Sequence, residues 1–291
     1  MGAPCELANK LRELGVKHFT QIDPDKEEQN TDKLLKLVGE SGTDAVIYAG
    51  SSGVDPRNLI DILKRSQGVI KQPKFVGPNR PDVVPPLVVE KILYSDPPLA
   101  DYFLIYDVLN TQDVDLIVGR HKKWDEMFYL ENKQPPIKYA IEIGYIVVTH
   151  NSTIKKIVQP KEEEYKIPDI ASYASVGARR HSILYLETTG YDPKLGGIEP
   201  SEYVSRIRKW TTEIGFPNLY IISGGGIRSE EEARKRLEAG ADAINVGNPL
   251  YFPDQKLGHR IYLETIRGAK PEISLKEHKK LYKRLFSTSL V

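Results

Sequence analysis

The sequence has few of the features that an extracellular or membrane-spanning protein requires. It contains a single cysteine, Cys5, among 291 residues, so an internal disulfide framework is excluded and a reducing compartment is indicated. No apolar run approaches the roughly 18 residues that a membrane-spanning helix needs. The first residues, MGAPCELANKLRELGVKHF, lack the apolar core of a signal peptide. We therefore expect a soluble cytoplasmic protein.

The sequence also lacks an excess of charge of one sign. The chain has 41 Lys and Arg against 40 Asp and Glu, which gives a net charge of +1. A protein that holds nucleic acid needs a basic surplus or a basic patch to neutralise phosphates, and the overall balance shows none. Hydrophobic residues nevertheless make up 40% of the chain, enough for a sizeable core. The composition indicates a globular protein with no nucleic-acid partner.

Short apolar runs typical of β-strands recur along the chain, and charged segments with helical spacing lie between most of them. Such alternation forms βαβ units with a parallel sheet, and eight strands in a chain of this size favour a closed barrel. An open doubly wound sheet, the alternative, should carry a glycine-rich turn after its first strand, whereas FTQIDPDKEE contains no glycine. The sequence therefore predicts an α/β fold, a (β/α)8 TIM-type barrel. The predicted strands are 18–23, 45–50, 74–78, 102–106, 141–148, 181–187, 219–225 and 243–248, with helices around 30–40, 56–66 and 229–239.

Three segments look like additions to a minimal barrel. Residues 79–98 are rich in proline, and residues 121–138 also look like an insertion. The third addition is an appended helix near the end of the sequence, so we expect a barrel domain over residues 1–268 and a helical extension over residues 269–291. The residues that would share one face of this helix are Leu275, His278, Tyr282 and Leu285.

Two glycine-bearing turns follow the last two predicted strands. Residues 223–229 read SGGGIRS, and residues 246–250 read VGNPL. Glycine lets backbone N–H groups approach an anion closely, and a helix N-terminus adds donors and a partial positive charge. Because the loops after strands seven and eight of such barrels frequently bind a phosphate, the turns predict one phosphate site. The alternative is that they are only tight turns. The candidate residues are Gly224, Gly225, Gly247 and Asn248, with Ser229 as the cap of the following helix.

Seven short blocks of the sequence, taken together and in their order along the chain, can be compared with known families. They are HFTQIDPDK (18–26), SGTDAVIYAGSSGV (41–54), VLNTQD (108–113), GYIVV (144–148), YLETTG (185–190), SGGGIRS (223–229) and VGN (246–248). In combination they resemble the geranylgeranylglyceryl phosphate synthase family, which includes bacterial heptaprenylglyceryl phosphate synthases, over roughly residues 15–268. The resemblance implies a prenyltransferase that joins a prenyl diphosphate, with geranylgeranyl diphosphate expected, to the 3-hydroxyl of sn-glycerol 1-phosphate. This reaction is the first ether-bond step of archaeal-type phospholipid synthesis.

Such a transfer releases pyrophosphate, whose negative charge must be neutralised. Magnesium with oxygen ligands supplies this neutralisation, and the resemblance implies Mg²⁺ as the cofactor. Asp23 ends the first predicted strand, and Ser51 ends the second beside it, on the catalytic face of a barrel. By resemblance, these two are the metal-site positions. A cap or turn role remains the alternative for Asp23, as does a structural role for Ser51.

The end of the sixth predicted strand carries residues that suit acid–base chemistry. Tyr185 and Glu187 alternate with Leu186, so both point to one side of the strand. The resemblance implies that Tyr185 contacts the glycerol phosphate and Glu187 its hydroxyls, and Glu187 would then accept the proton of the attacking hydroxyl. These two are the catalytic candidates. The candidate residues for sn-glycerol 1-phosphate are Tyr185, Leu186, Glu187, Thr188, Thr189, Gly190, Tyr191, Gly224, Gly225, Gly247 and Asn248.

The sequence departs from the resembled family in places, and other functions stay open. Gln21 stands where the bacterial branch has Lys, and the six histidines show no ligand spacing, so zinc is not expected. One alternative is another phosphate-binding barrel enzyme, such as a sugar-phosphate isomerase, an aldolase or a synthase. A Schiff-base aldolase would need a buried lysine at a strand end, where Glu187 stands instead. The other alternative is a non-catalytic barrel that binds a phosphorylated ligand. We also expect a homo-oligomer. One interpretation of the C-terminal helix is a transient contact with a membrane surface, and the alternative, which we favour, is a helix packed on the barrel or on another subunit.

Overall fold

The eight predicted strands form a closed parallel barrel. The computed structural model describes residues 3–26, 31–50, 54–78, 84–111, 113, 120–136, 138–148, 167–188 and 198–286. Each strand pairs with the next, and the last pairs with the first. The predicted (β/α)8 fold is thereby confirmed. The strands are β1 (His18–Ile22), β2 (Ala45–Tyr48), β3 (Lys74–Val76), β4 (Tyr102–Val108), β5 (Ala140–Val147), β6 (Ile183–Glu187), β7 (Tyr220–Gly224) and β8 (Ala243–Val246).

Ten α-helices lie in the described part of the chain, most of them between consecutive strands. None of these helices is long and apolar enough to cross a membrane, as far as the described residues extend. They are α1 (Ala3–Glu13), α2 (Thr31–Glu40), α3 (Pro56–Ser66), α4 (Pro86–Tyr94), α5 (Arg120–Leu130), α6 (Ile167–Arg180), α7 (Pro200–Glu213), α8 (Glu230–Glu238), α9 (Gln255–Ala269) and α10 (Leu275–Phe286), with a short 3-10 helix at Asn248–Tyr251.

The two segments that look like insertions contain regular barrel helices. Helix α4 lies within 79–98 and links β3 to β4, while most of α5 lies within 121–138 and precedes β5. Val89 on α4 and Phe128 on α5 are both fully buried in the layer between strands and helices. These segments therefore complete the alternation of strands and helices rather than add to it.

Side chains fill the interior of the barrel. Alternate residues of each strand face inward, and the inward-facing apolar ones form a single buried cluster. Leu7 and Leu11 of α1 belong to this interior cluster, and Lys10 donates a hydrogen bond at 3.2 Å to the hydroxyl of Tyr102, at the start of β4. Helix α1 therefore covers the amino-terminal end of the barrel. The carboxyl ends of the strands form the opposite mouth.

The C-terminal helix α10 packs on the outer layer of the barrel. His278 and Leu281 are buried, and Leu281 joins the core cluster between strands and helices. Leu275 is 50% exposed, and it lines the same cleft as His278, with which it was predicted to share a face. The side chains of Tyr282 and Leu285 lie outside the described part of the structure. A face defined by apolar spacing alone could not show which turn of the helix meets the barrel.

Candidate active site

Polar side chains from several strands meet at the carboxyl-terminal mouth of the barrel, the face that carries the catalytic groups in proteins of this fold. Tyr185 and Glu187 face inward on β6, because Leu186 between them packs in the layer between strands and helices. Gln21 on β1 and Asn245 on β8 reach the same space and are linked to Tyr185 by hydrogen bonds. The structure therefore brings the two catalytic candidates on β6 together with two polar residues on β8 and β1, strands that pair with each other.

Three buried tyrosine rings line this mouth. The ring of Tyr145 stacks on that of Tyr185 with centroids 5.1 Å apart, and Tyr106 meets them edge-on at 5.2 and 6.3 Å. Burial raises the pKa of all three phenols, and the negative charge of Glu187 raises it further. The three hydroxyls therefore stay protonated at neutral pH and act as hydrogen-bond donors rather than as bases. A Cβ on Gly224 would overlap the Tyr185 hydroxyl, so glycine on β7 makes room for this ring.

Glu187 is the carboxylate of the mouth. It is buried, with only 6% of its surface exposed, and the Tyr145 hydroxyl donates to its Oε2 at 3.4 Å. Its backbone carbonyl accepts the Val148 N–H at 2.9 Å, which holds the end of β6 against the neighbouring strand. A buried carboxylate among protonated phenols is suited to orient an alcohol and accept its proton.

Asn245 is a mouth residue that the sequence analysis missed. Its Nδ2 donates to Gln21 Oε1 at 2.8 Å and to the Tyr185 hydroxyl at 2.7 Å, and the residue is buried. Alternation along β8 was the signal that could have found it, since Asn245 lies two residues before Gly247 and faces the same side. Gln21 takes part in this neutral hydrogen-bond chain and adds no positive charge to the site.

The two glycine turns follow β7 and β8, which are neighbours in the barrel. Gly225 and Gly226 have φ values of +80° and +71°, in the left-handed region that favours glycine. Gly247 is followed by the short 3-10 helix. Among the described residues, none accepts a hydrogen bond from the N–H of Gly225, Gly226, Gly247 or Asn248. These N–H groups lie on one side of the mouth and suit an anion.

At the start of α8, two backbone N–H groups already have side-chain acceptors. Ser229 caps the helix as predicted, since its Oγ accepts the Glu232 N–H at 3.1 Å. Glu232 in turn accepts the Arg228 N–H at 2.6 Å. Together with Glu230 and Glu231, Glu232 places negative charge in the first turn, where it offsets the helix dipole. This charge opposes the contribution that was expected from the helix N-terminus after the seventh strand.

Arg236 on α8 is a second residue that the sequence analysis missed. Its guanidinium is buried and donates to Thr188 Oγ1 at 2.7 Å, to Ser223 Oγ at 2.9 Å and to the Gly225 carbonyl at 2.8 Å. Burial lowers the pKa of Arg236 to about 10, so the group stays charged at neutral pH. The side chain therefore fixes the ends of β6 and β7 and places a positive charge behind the glycine turn.

We expect Arg236→Met to destabilise the fold by about 1–3 kcal/mol, because the substitution leaves buried acceptors without a donor. Arg234→Met is the matched control: Arg234 is exposed, and its only described ion pair is with Glu238 on the same helix, so its loss should cost about 0.5 kcal/mol or less. Denaturant unfolding of both variants measures the difference. Equal stabilities would show that the guanidinium does not hold the turn.

Asp23 lies directly after β1 at the rim of the barrel. Burial raises the pKa of its carboxyl, although the Asp25 N–H and the Lys26 charge oppose the shift. The Asp25 N–H donates to Asp23 Oδ1 at 3.1 Å, and Lys26 Nζ lies 3.7 Å from Oδ2. The Asp25 carboxylate itself accepts the Asp55 N–H at the start of α3. Asp25 therefore has a structural role in the loop, and Asp23 is the carboxylate that this loop offers to a ligand.

For several predicted site residues, the structure describes no side chain that faces the mouth. Leu186 is fully buried behind the barrel wall, so only its backbone could meet a substrate. Asn248 is exposed at the start of the 3-10 helix. Thr188 is buried, and its hydroxyl donates to the Gly224 carbonyl at 2.9 Å. The predicted residues that lie outside the described residues are Ser51, Thr189, Gly190 and Tyr191.

A (β/α)8 barrel with a carboxylate in its mouth and glycine turns after β7 and β8 is typical of barrel enzymes that act on phosphorylated small molecules. The comparison with known proteins narrows this class. The chain matches the PcrB family over residues 10–270, and it belongs to that family. Helix α10 lies beyond the matched residues.

Similar proteins carry related names. The geranylgeranylglyceryl phosphate synthase of Metallosphaera sedula is 28% identical over 254 residues, 86% of this chain and 90% of that protein. The heptaprenylglyceryl phosphate synthase of Bacillus licheniformis is 30% identical over 237 residues, 81% of this chain and 90% of that protein. A solved structure of (S)-3-O-geranylgeranylglyceryl phosphate synthase from Thermoplasma acidophilum, in complex with sn-glycerol-1-phosphate, has a TM-score of 0.68 at 20% identity and covers 94% of this chain and 100% of that one. This last similarity supports the fold.

Proposed function

We propose that this protein is a prenyltransferase that joins a prenyl diphosphate to the 3-hydroxyl of sn-glycerol 1-phosphate. The observation that carries the proposal is the position of Glu187 on the same rim as the two glycine turns, in a chain of the PcrB family. A glycerol phosphate has one anionic end and free hydroxyls at the other. Backbone donors for the anion and a carboxylate for a hydroxyl match both ends. The names of the similar synthases support the same substrate.

At C1 of the prenyl diphosphate, the proposed reaction makes one bond and breaks one. The 3-hydroxyl oxygen attacks C1 of the prenyl diphosphate, a carbon–oxygen bond forms, and the bond from C1 to the diphosphate breaks. Glu187 accepts the hydroxyl proton, and pyrophosphate leaves. The phenol of Tyr185, held by Asn245 at 2.7 Å, donates a hydrogen bond to the bound glycerol phosphate. Because the turn, the phenol and the carboxylate lie on rigid strand ends, the alcohol is oriented before it reacts.

The leaving diphosphate needs a counter-charge, and Mg²⁺ is the proposed cofactor. Magnesium is usually held by one or two carboxylates together with water and substrate phosphates. Asp23 offers one such carboxylate, and its proximity to Lys26 adds a cation for the same diphosphate. When bound, the metal would neutralise charge on the departing pyrophosphate. Ser51 remains the second proposed metal-site residue.

The prenyl chain, proposed as geranylgeranyl, must lie outside the barrel interior. That interior is packed by rings such as Phe19 and Phe75, whose centroids are 5.8 Å apart, and α1 covers its other end. A long apolar chain therefore has to leave the mouth along the rim. The inward-facing residues of β4 and β5 belong to the core and do not form a channel.

The two alternative functions, another phosphate-binding barrel enzyme such as an aldolase and a non-catalytic barrel, receive less support. Among the described strand residues, no lysine faces the barrel interior, so a Schiff-base aldolase lacks its nucleophile. A non-catalytic barrel that binds a phosphorylated ligand would need no buried carboxylate in its mouth, where Glu187 lies.

Binding of sn-glycerol 1-phosphate tests the proposed site. We expect Gly225→Val to weaken it far more than Asn248→Ala does. A β-branched residue cannot readily hold the φ of +80° at Gly225, so the turn must change shape. The exposed Asn248 side chain can supply at most one hydrogen bond to a charged group, about 1.5–3 kcal/mol. Calorimetric titration of both variants measures the two effects.

Titration of the same variants with prenyl diphosphate supplies the control. The diphosphate is proposed to bind at Asp23, after β1, which lies two strands away from Gly225 at the end of β7, so its affinity should change by only about a few fold in either variant. Loss of the prenyl diphosphate with glycerol phosphate binding retained in Gly225→Val would show that the two phosphate sites are assigned the wrong way round.

Contact with a membrane surface, where the prenyl substrate is dissolved, is a further part of the proposal. A cleft of about 850 Å³ lies between α9 and α10. Its lining combines five basic and several apolar side chains with two carboxylates, Asp254 and Glu264, and the basic surplus with apolar surface suits an anionic membrane surface. The basic residues are Lys256, Arg260, Arg267, Lys279 and Lys283. The cytoplasmic location of the protein and its assembly into a homo-oligomer stay predictions.

A further inference from the structure

Outside the barrel mouth, three side chains that can bind a metal lie together on the opposite side of the barrel wall. Asp107 of β4 alternates with the inward-facing Tyr106 and Val108, so it points toward the helical layer. Glu142 of β5 and His181, just before β6, lie beside it. One ligand atom from each of the three falls within 4.8 Å of the other two.

The imidazole of His181 is the unusual member of this group. The residue is only 4% exposed, yet neither ring nitrogen has a hydrogen-bond partner among the described residues. Its Nε2 lies 2.9 Å from Asp107 Oδ2, which is close enough for a hydrogen bond but is not aligned as one. A buried polar atom without a partner is costly. Within the described part of the chain, the contact with Asp107 is therefore the one polar contact of this ring, and it is not aligned as a hydrogen bond.

The local backbone leaves space for this ring. A Cβ on Gly144, the β5 residue paired with Asp107, would come within 3.2 Å of His181 Cδ2. Asp107 is itself 1% exposed, whereas Glu142 is exposed. The cluster thus has two buried ligands and one that reaches solvent, so an ion could enter from the side of Glu142.

We propose that Asp107, Glu142 and His181 bind a divalent transition-metal ion of the zinc type. Nitrogen and carboxylate oxygen ligands suit zinc, with bonds of about 2.0–2.2 Å. Two ligand atoms on one such ion lie about 3.0–3.5 Å apart by this geometry, close to the observed 2.9 Å between Nε2 and Oδ2. An ion between them also explains why the two atoms are near each other without the alignment of a hydrogen bond.

The proposed ion would connect three successive strands on the outer side of the wall. The inner side of the same strands carries Tyr106, Tyr145 and Tyr185. The site would therefore fix the strands that position the mouth, while standing apart from the magnesium proposed at Asp23. Its ligands come from three different βα units, which is why the spacing of histidines in the sequence did not indicate it.

The test is a zinc titration of the full-length protein, first stripped with a chelator and then kept in excess Mg²⁺. Calorimetry with metal analysis should give one Zn²⁺ per chain, with a rise in melting temperature. Glu142→Gln should weaken binding by about tenfold or more, the scale found for even indirect disturbance of a metal site, and His181→Gln should remove it. Glu213→Gln, an exposed carboxylate on α7, is the matched control and should bind as the wild type does.

Because Glu142 is exposed, Glu142→Gln should fold normally, which circular dichroism can verify. Zinc affinity and melting shift that are the same in wild type, Glu142→Gln and Glu213→Gln would overturn the proposal. Absence of stoichiometric zinc binding would also overturn the proposal. The role of His181 and Asp107 would then be their direct contact with each other. The readout uses no substrate, so it is independent of the prenyl-transfer proposal.

Discussion

Asp23→Asn is expected to remove prenyl transfer almost completely while leaving the fold intact. The asparagine keeps the shape of the side chain and can still accept the Asp25 N–H, but it has no charge to offer a metal under the leaving diphosphate. Metal-based charge stabilisation is worth several kcal/mol, so the loss in turnover should reach about 10²–10⁴-fold. Steady-state rates at saturating Mg²⁺ and both substrates measure it.

Asp32→Asn is the control for this prediction. Asp32 lies on α2, in the same βα unit, and makes an exposed ion pair with Arg65, so its loss should leave turnover unchanged. Magnesium-dependent activity that survives in Asp23→Asn would place the metal elsewhere in the mouth. The proposal of Asp23 as a ligand would then be wrong, whatever the reaction.

Glu187→Gln is expected to lower turnover by about 10²-fold or more, the usual effect of removing a general base. The amide can still accept the Tyr145 hydroxyl that lies 3.4 Å from Glu187 Oε2, so the mouth should keep its shape. The glycine turns are untouched, and sn-glycerol 1-phosphate should bind with nearly its wild-type affinity. Single-turnover rates and calorimetry separate the two effects.

Glu202→Gln, on the exposed side of α7, controls for a general loss of negative charge. It should match the wild type in both measurements. If Glu187→Gln loses glycerol phosphate binding but turns over normally at saturating substrate, Glu187 binds the substrate and is not the base. Another group would then have to accept the hydroxyl proton.

The regular parts of the fold could be predicted from the sequence because their signals are local. Each strand is a short apolar run, and Ser229 marks the start of α8 by its type and position. Alternation along β6 also placed Tyr185 and Glu187 on the inner side of the wall. Gly225 was singled out for its conformational freedom, and its φ of +80° shows that the turn uses it.

The missed residues depend on packing that the sequence does not display. Arg236 stands among charged neighbours in EEEARKRLEAG, and only the rotation of α8 against the barrel makes it the buried cation, while Arg234 stays exposed. The same limit applies to α10, where the turn that meets the core carries Leu281, while Leu275 is half exposed. Both outcomes depend on how a helix lies on its neighbours, which no local pattern specifies.

The position of the phosphate donors could be predicted only in part. Two glycine turns on neighbouring strands were correctly placed on one rim. At the helix terminus that follows, Glu232 and Ser229 accept two of the backbone N–H groups. The buried Arg236, which was not predicted, adds positive charge from behind the turn.

The central claim is tested most directly by product analysis. The purified full-length protein is incubated with Mg²⁺, geranylgeranyl diphosphate and sn-glycerol 1-phosphate, and the lipid fraction is examined by mass spectrometry. The proposed chemistry predicts a prenyl ether of glycerol phosphate, released together with an equal amount of pyrophosphate, and its loss in Glu187→Gln. If sn-glycerol 1-phosphate binds but neither geranylgeranyl nor heptaprenyl diphosphate gives an ether product, the protein is a phosphate-binding barrel without this activity.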